Sequence, residues 1–401
     1  MKIAIFLQSN PIGGGYHQTV NFINYINKIK SKNQNILVII ENKFFIDVLK
    51  KNNIEYLLFK NTYLTKFILR ISRLDFIKIV FKKFKLHNPF KRFLISKKID
   101  LIIFNSPSNY VLYCEDLNYI ANIWNTELRT FNNFPEFFNG NFNYQDKIIK
   151  SIVKYAFKIL VFSNKNKDDL VKYYNCFSDK IIIQNLIPHL PALYESQKNL
   201  INYNHLFETL NLDKKKKWVF YPAQFWPHKN HAYIIEAVNF LIKKNNFDIN
   251  FLFTGNDQGN LKYIESLINQ NKLENRIKVF NYLDDNQIIS IYLNCFSVCM
   301  PTYVGRSSLP LLESFFFKKK IFYSEDKLDE NLKKYVIQCD LGNPEDLANK
   351  IIDFDNGKIS FNLEGVYQEH CSEVKLISNY SKLISDYNYF LKRWASKTDI
   401  I

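Results

Sequence analysis

Three stretches of this chain gather residue types that can do chemistry. The first is "YPAQFWPHKNH", residues 221–231, where an apolar run ends and an amphipathic stretch begins. Lys229 there can neutralise a phosphate as a point charge. His228 and His231 stand three residues apart but lack a third ligand of matching geometry for zinc. A solvated turn, a metal site and a pocket for an anion all stay open on these residues alone. The second is "MPTYVGRSSLPLLESFFF", residues 300–317, a small-residue loop leading into a helix with Pro310 near its first turn. The amides of Arg306, Ser307 and Ser308 would point from that helix N-terminus at an anion. Glu313 suits bidentate hydrogen bonding to a vicinal diol such as ribose, or serves simply as a helix-dipole acid. The third is "SNPIGGGYHQTV", residues 9–20. Its three consecutive glycines permit close backbone approach to a ligand, or make a tight turn. The spacing is not that of a dinucleotide fold, and no acid sits suitably about 20 residues on.

The elements that must position these stretches follow one pattern. Short apolar runs alternate with longer amphipathic ones, as in parallel βα units. Strands are expected at 2–7, 35–40, 101–104, 119–123 and 159–162, then at 218–221, 250–254, 277–280, 297–300 and 320–324. Helices are expected at 16–30, 146–157, 231–244, 260–271, 285–293, 309–317 and 344–353. Between the two halves, residues 184–217 carry two prolines and a tetralysine run, which reads as an interdomain crossover. The expected division is an α/β domain over 1–187, a linker over 188–217, a second α/β domain over 218–375 and a C-terminal helix over 376–401. Two such halves would hold a ligand in the cleft facing the carboxyl ends of both sheets.

Length and composition agree with this. The chain has 401 residues, suited to two domains of about 200 each. Apolar residues make up 47%, enough to bury a sizeable core. Phe, Tyr, Lys, Asn and Ile are abundant while Gly and Met are scarce, a bias typical of an AT-rich genome that weakens arguments from lysine counts. The net charge of +16 raises nucleic acid, an anionic membrane surface or a phosphorylated substrate as partners. The excess concentrates between Asn61 and Ile99, where Lys and Arg are interleaved with Phe, Ile and Leu and Asp75 is the only acid. That segment is either a solvated helical region or a surface that docks on anionic lipid; no nucleic-acid motif accompanies it. The six scattered cysteines read as buried thiols of a reducing compartment. The N-terminus reads as a first strand and not as a signal peptide, and no stretch is apolar for long enough to span a membrane. The expected place is the cytoplasm, peripheral to the membrane.

Taken together these stretches resemble the family-4 glycosyltransferases of the GT-B fold, retaining enzymes that use nucleotide sugars. The resemblance covers most of residues 1–355 in order and is strongest at 218–324. That family carries a G-R-x-x-x-x-K-G turn after the first strand of its second domain. "PAQFWPHKNH" occupies it, with Lys229 matching the diphosphate-binding lysine and Gln224 standing where arginine is usual. The W-P-H-K-N-H wording is similar to a subgroup of bacterial surface-polysaccharide enzymes. In the E-x7-E region, "YVGRSSLPLLE" places Glu313 at the second glutamate, implied to hold the ribose hydroxyls, and Gly305 where the first glutamate would be. The subgroup pattern Y-x-G-P-T-N-x-P-x-L-E also lacks that glutamate, and Arg306 replaces its proline. "VFNYLDDNQ" resembles the stretch whose backbone, around Tyr282 and Leu283, reads the nucleobase. The glycine-rich loop resembles the acceptor-side loop, where Gly13, Gly14 and Gly15 would approach donor phosphate. In "NIWNTELRTFNNFPEFF" (122–138), related sequences often carry an aspartate and a sugar-facing histidine, where this chain has Asn125 and Leu128. Arg129, Pro135 and Glu136 remain recognisable, and Glu127, Arg129 or His17 would have to serve in the histidine's place.

The resemblance implies transfer of a hexose from a GDP-, UDP- or dTDP-sugar to a hydroxyl of a lipid-linked or surface glycan, with anomeric configuration kept. Catalysis would rest on Lys229, Glu313 and Arg129. The donor would be held by Gly13–Gly15, Gln224, His228, Lys229, Tyr282, Leu283, Gly305, Arg306, Ser307, Ser308, Leu309 and Glu313. No metal and no resident cofactor are expected, since the acids at 284–285 read as a helix cap; nucleic acid is not an expected partner. A 2-epimerase of nucleotide sugars and a non-catalytic binding protein on the same fold are the alternatives.

Overall fold

The computed structural model describes residues 1–8, 14–29, 35–138, 141–245, 247–305, 308–325 and 328–393. The chain divides into two compact units. Unit 1 comprises Met1–Thr126, Phe142–Ile187 and Ser372 onward, and unit 2 comprises Glu127–Asn141 and Pro188–Cys371.

Unit 1 is built on a parallel sheet of β1 (Lys2–Leu7), β2 (Asn35–Ile40), β3 (Tyr56–Leu58), β4 (Leu101–Phe104), β5 (Tyr119–Asn122), β6 (Lys158–Val161) and β7 (Ile181–Ile183). Its order is β3-β2-β1-β4-β5-β6-β7, so the direction of winding reverses between β1 and β4. The central strands are apolar on both faces, as a sheet covered by helices on both sides requires. On one face, Ile3, Ile5, Leu7, Val38 and Ile40 pack in a core with Leu376, Tyr380, Leu383, Ile384 and Tyr387. Those last five recur at helical spacing in the C-terminal helix Glu373–Leu391, which Ser372 caps by accepting the Lys375 N–H.

Unit 2 repeats the architecture with β8 (Trp218–Pro222), β9 (Asn250–Thr254), β10 (Ile277–Phe280), β11 (Ser297–Met300), β12 (Ile321–Ser324) and β13 (Ile337–Cys339). The order is β10-β9-β8-β11-β12-β13, again parallel, with the reversal between β8 and β11. In such sheets the loops after the two strands at the reversal open a crevice at their carboxyl ends. Both unit-2 stretches singled out in the sequence, after β8 and after β11, follow those strands. Two parallel-sheet, Rossmann-like units are what the alternation of apolar runs predicts.

Three further features are local. Residues 188–217, read as a linker, form the helices Leu190–Gln197 and Tyr203–Thr209, and the second packs against the helix Asp285–Asn294. Buried Tyr203 and Phe207 make this stretch part of unit 2. Residues 127–141 fall in unit 2, although the stretches before and after them belong to unit 1. The basic segment folds as three helices, Tyr63–Ile71, Asp75–Lys83 and Pro89–Ser96. All six cysteines are buried free thiols. Among the described residues no helix is long and apolar enough to cross a membrane.

Candidate functional site

β8 ends at Pro222 and the chain runs through Gln224 and Trp226 into a single 3-10 turn, Pro227–Lys229. Asn230 closes that turn in the left-handed conformation (φ 59°), a backbone region that asparagine tolerates better than most residues. The turn is held from below: Tyr303 N–H donates to the His228 carbonyl at 2.9 Å, and the Tyr221 hydroxyl donates to the Lys229 carbonyl. The Trp226 indole N–H donates to Gln224 Oε1 at 3.0 Å. Lys229 is therefore fixed at its backbone, and its ammonium faces the loop after β11. A Cβ placed on Gly305 would lie 3.9 Å from Lys229 Nζ. Burial lowers the Lys229 pKa to about 8, opposed by the carboxylates of Glu127 and Glu136.

The histidines separate in role. His231 is fully buried and packs among Phe225 (ring centroids 4.5 Å apart), Tyr221 (4.6 Å) and Phe253 (5.2 Å). Burial, with Lys229 nearby, holds its pKa down at about 3. His228 instead meets Glu136 through Nδ1, and its backbone N–H reaches the same carboxylate oxygen at 3.3 Å. The zinc pair weighed on sequence spacing is thus replaced by one core histidine and one held by a carboxylate.

Gly305 has φ 124°, which a side chain would strain, and its N–H donates to Glu127 Oε2 at 2.6 Å. Glu127 is 1% exposed and lies in the short 3-10 turn Glu127–Arg129, where Arg129 is half-buried. This turn and the residues after it sit on unit 2 through rings: Phe134 packs on Tyr303 (5.3 Å) and Phe137 stacks on His228 (6.3 Å). Leu128 is buried.

Past the loop, Ser308 caps the helix Leu309–Phe316 by accepting the Leu311 N–H, with Pro310 in the first turn. The Tyr323 hydroxyl donates to the Gly305 carbonyl at 2.7 Å and lies 3.4 Å from Ser308 Oγ, which ties the loop to β12. Glu313 is 5% exposed and accepts the Tyr292 hydroxyl at 2.9 Å. Burial raises its pKa to about 7, against the opposing effects of His189 and of the tyrosine hydrogen bond. Glu313 is then partly protonated near neutrality, unlike an exposed helix-dipole acid. Leu309 opens the helix and is half-buried.

Other expected residues lie further out. Tyr282 is 73% exposed and Leu283 half-buried, in the loop after β10. Asp284 caps the helix Asp285–Asn294 in a reciprocal box with Gln287. Gly14 and Gly15 begin the helix Gly14–Ile29 of unit 1, and a Cβ on Gly15 would come within 2.9 Å of the Trp124 ring. Gly13, Arg306 and Ser307 lie outside the described residues. Unit 2 thus brings Lys229, His228, Gly305, Ser308 and Glu313 onto the loops and helix starts at the β8/β11 reversal. Sequence spacing gave no role to Glu136 and only an optional one to Glu127. The sole signal for them was their place in "TELRTFNNFPEFF".

Residues 203–360, which contain all five, match the family model described as glycosyl transferases group 1. The fold is that of the GT-B glycosyltransferases. The chain is similar to a glycosyltransferase from Rickettsia africae ESF-5, with 16% identity over 98% of this chain and 99% of that one and a TM-score of 0.65. It is similar to HepE of Anabaena in complex with UDP-glucose, at 14% identity, 96% and 100% coverage and a TM-score of 0.69. It is also similar to WaaG, a glycosyltransferase involved in lipopolysaccharide biosynthesis, at 12% identity, 95% and 99% coverage and a TM-score of 0.59. No curated protein matches the sequence.

Proposed function

We propose that the protein is a retaining glycosyltransferase that moves a hexose from a nucleoside diphosphate sugar to a hydroxyl of a glycan acceptor, without a metal. The observation that carries this reading is the convergence of Lys229 on Gly305 at the β8/β11 reversal, inside the segment that matches the group 1 family. Departure of a diphosphate concentrates negative charge on its oxygens, and a fixed ammonium and aimed amides stabilise that charge without reorganising. Lys229 supplies the ammonium. The loop from Gly305 through Ser308 and Leu309, with Arg306 and Ser307, supplies amides at a helix start. Gln224 and His228 border the diphosphate, Glu313 accepts the ribose hydroxyls, and the Tyr282–Leu283 backbone meets the base. Arg129 adds a cation. Losing one such contact typically costs on the order of 3 kcal/mol of transition-state stabilisation. HepE, a fold neighbour, is described with UDP-glucose, which supports a nucleotide sugar as the ligand class.

The acceptor we infer is lipid-linked, at the cytoplasmic face of a bacterial membrane, in lipopolysaccharide, O-antigen or capsule assembly. Support comes from the helices Tyr63–Ile71 and Asp75–Lys83, which expose Tyr63 (93%), Leu64 (68%), Phe67 (60%), Phe76 (73%) and Ile79 (65%) amid their lysines. Exposed aromatic and aliphatic groups beside basic ones suit an anionic lipid surface.

Incubation with UDP-, GDP- and dTDP-hexoses tests the reading. Release of nucleoside diphosphate that is lost in Lys229→Ala and unaffected by chelator is expected. No turnover by any donor would favour the second reading, a non-catalytic binding protein. The burial of Leu128, where related sequences often place a histidine, speaks for that alternative.

A further inference from the structure

The imidazole of His228 is anchored through its backbone and through its ring. Its carbonyl accepts the Tyr303 N–H at 2.9 Å and the Thr302 hydroxyl at 3.3 Å, and its backbone N–H donates to Glu136 Oε1 at 3.3 Å. The rings of Trp226 and Phe137 lie near-parallel to it, at interplanar angles of 24° and 29°, and Phe134 meets it edge-on at 73°. All of these groups belong to unit 2. A ring fixed this way has two nitrogens with fixed directions.

The two nitrogens differ in what they meet. Nδ1 is paired with Glu136 Oε1, the oxygen that also accepts the backbone N–H. Nε2 points away from that carboxylate and has no hydrogen-bond partner among the described residues, on a side chain that keeps 12% of its surface open. A neutral imidazole carries one N–H, and an ionised carboxylate only accepts. The proton therefore sits on Nδ1, and Nε2 presents a lone pair. The surroundings favour these charge states. Burial, then the Lys229 ammonium and His231, disfavour imidazolium at His228, while the Glu136 carboxylate and the same ammonium stabilise each other.

A lone pair narrows what His228 can take. Diphosphate oxygens are acceptors too, so a neutral Nε2 repels them, and the adjacent Lys229 is the group suited to them. A hydroxyl is the opposite case, because its O–H fills the lone pair. With Glu313 read as the ribose group, the hydroxyls left beside the diphosphate of a sugar nucleotide are those of the hexose.

We propose that Glu136 is a positioning residue that holds the His228 proton on Nδ1, so that Nε2 accepts one hydroxyl of the donor hexose and His228 helps to decide which sugar is taken. The hexose rests on the glycosyltransferase reading above; the tautomer set by Glu136 does not.

Nitrogen-15 NMR of the histidine rings tests the tautomer on the full chain, with the His228 signals identified by their loss in His228→Gln. Glu136→Gln keeps an acceptor oxygen, which the His228 backbone N–H orients, and Glu136→Met keeps the length without one. Both remove the charge that faces Lys229, and each is confirmed folded by its melting curve. His228 is expected to be protonated on Nδ1 in wild type and Glu136→Gln, and on Nε2 in Glu136→Met, the form that imidazole prefers in water. Titration calorimetry then compares UDP-glucose, GDP-mannose and dTDP-glucose with UDP, GDP and dTDP. The affinity of the bound sugar nucleotide relative to its own nucleoside diphosphate should fall about tenfold in Glu136→Met and stay within about twofold in Glu136→Gln. An Nε2-protonated His228 in wild type would overturn the proposal. So would equal falls in the two variants, which would make the charge of the carboxylate the cause, or no fall in either. Nucleoside diphosphate binding beside such a result would leave the glycosyltransferase reading standing. No nucleotide binding to wild type would sink that reading and the hexose with it, while an Nδ1-protonated His228 would still assign Glu136 its positioning role.

Discussion

Glu127 Oε2 accepts the Gly305 N–H at 2.6 Å, beside the ammonium of Lys229. A protein carboxylate therefore occupies one of the amides proposed to receive donor phosphate, and its charge opposes an incoming anion at the lysine. Glu127→Gln keeps the shape and an acceptor oxygen but removes the charge. Nucleoside diphosphate affinity should rise about tenfold, on the order of 1.4 kcal/mol, read by titration calorimetry. A weaker affinity would instead make Glu127 a supporter of the binding loop.

Glu313 gives the protein a pH-dependent stability of definite sign. Its folded pKa of about 7 lies above the ordinary carboxylate value of 4.5, because burial disfavours the charged form. The folded state binds the extra proton, so this contribution is full below about pH 4.5 and is lost as pH rises to about 7, on the order of 3 kcal/mol. Glu313→Gln should flatten that part of the stability profile. An unchanged slope in urea melts between pH 5 and 7 would contradict the assignment.

Lys229 sets the opposite limb for ligand binding. With its pKa near 8 in the free protein, the ammonium is intact at neutral pH and is lost above pH 8. Nucleoside diphosphate affinity should hold steady below about pH 7.5 and fall by up to tenfold per unit above pH 8, until the bound-state pKa is reached. In Lys229→Ala that fall should vanish along with most of the affinity. Persistence of the fall in the variant would assign it to another group.

The exposed face of the helices Tyr63–Ile71 and Asp75–Lys83 should bind vesicles containing phosphatidylglycerol and ignore neutral ones, with binding weakened by salt. Phe67→Ser combined with Phe76→Ser should cut sedimentation with those vesicles severalfold while leaving the melting temperature within a few degrees, since both rings are more than half exposed. Equal binding by the double variant would leave the face without a membrane role.

Much of the fold was legible because its central strands are unbroken apolar runs: β1, β2, β4, β9, β10 and β11 fall where those runs predict. The strands β3, β7 and β13 are three residues each, too short for a run to stand out from a helix or a loop. The helix Leu190–Gln197 begins with Pro191 in its first turn, so a proline counted toward the crossover opens a helix. In the site, Lys229 and Glu313 stood out because each follows a strand and opens a helix, a local pattern. Glu127 and Glu136 did not, because what places them is the packing of Phe134 and Phe137 on Tyr303 and His228, residues far away in sequence.

The central claim, that unit 2 is a nucleotide-sugar donor site, is tested most directly by the melting temperature of the purified protein with UDP, GDP, dTDP and CMP in turn, beside Lys229→Ala and Glu313→Gln. A ligand at about 100 times its dissociation constant should stabilise the wild type by roughly 2.7 kcal/mol. A clear upward shift with one nucleoside diphosphate, blunted in both variants, is expected. No shift with any nucleotide, or a shift that survives in both variants, would contradict it.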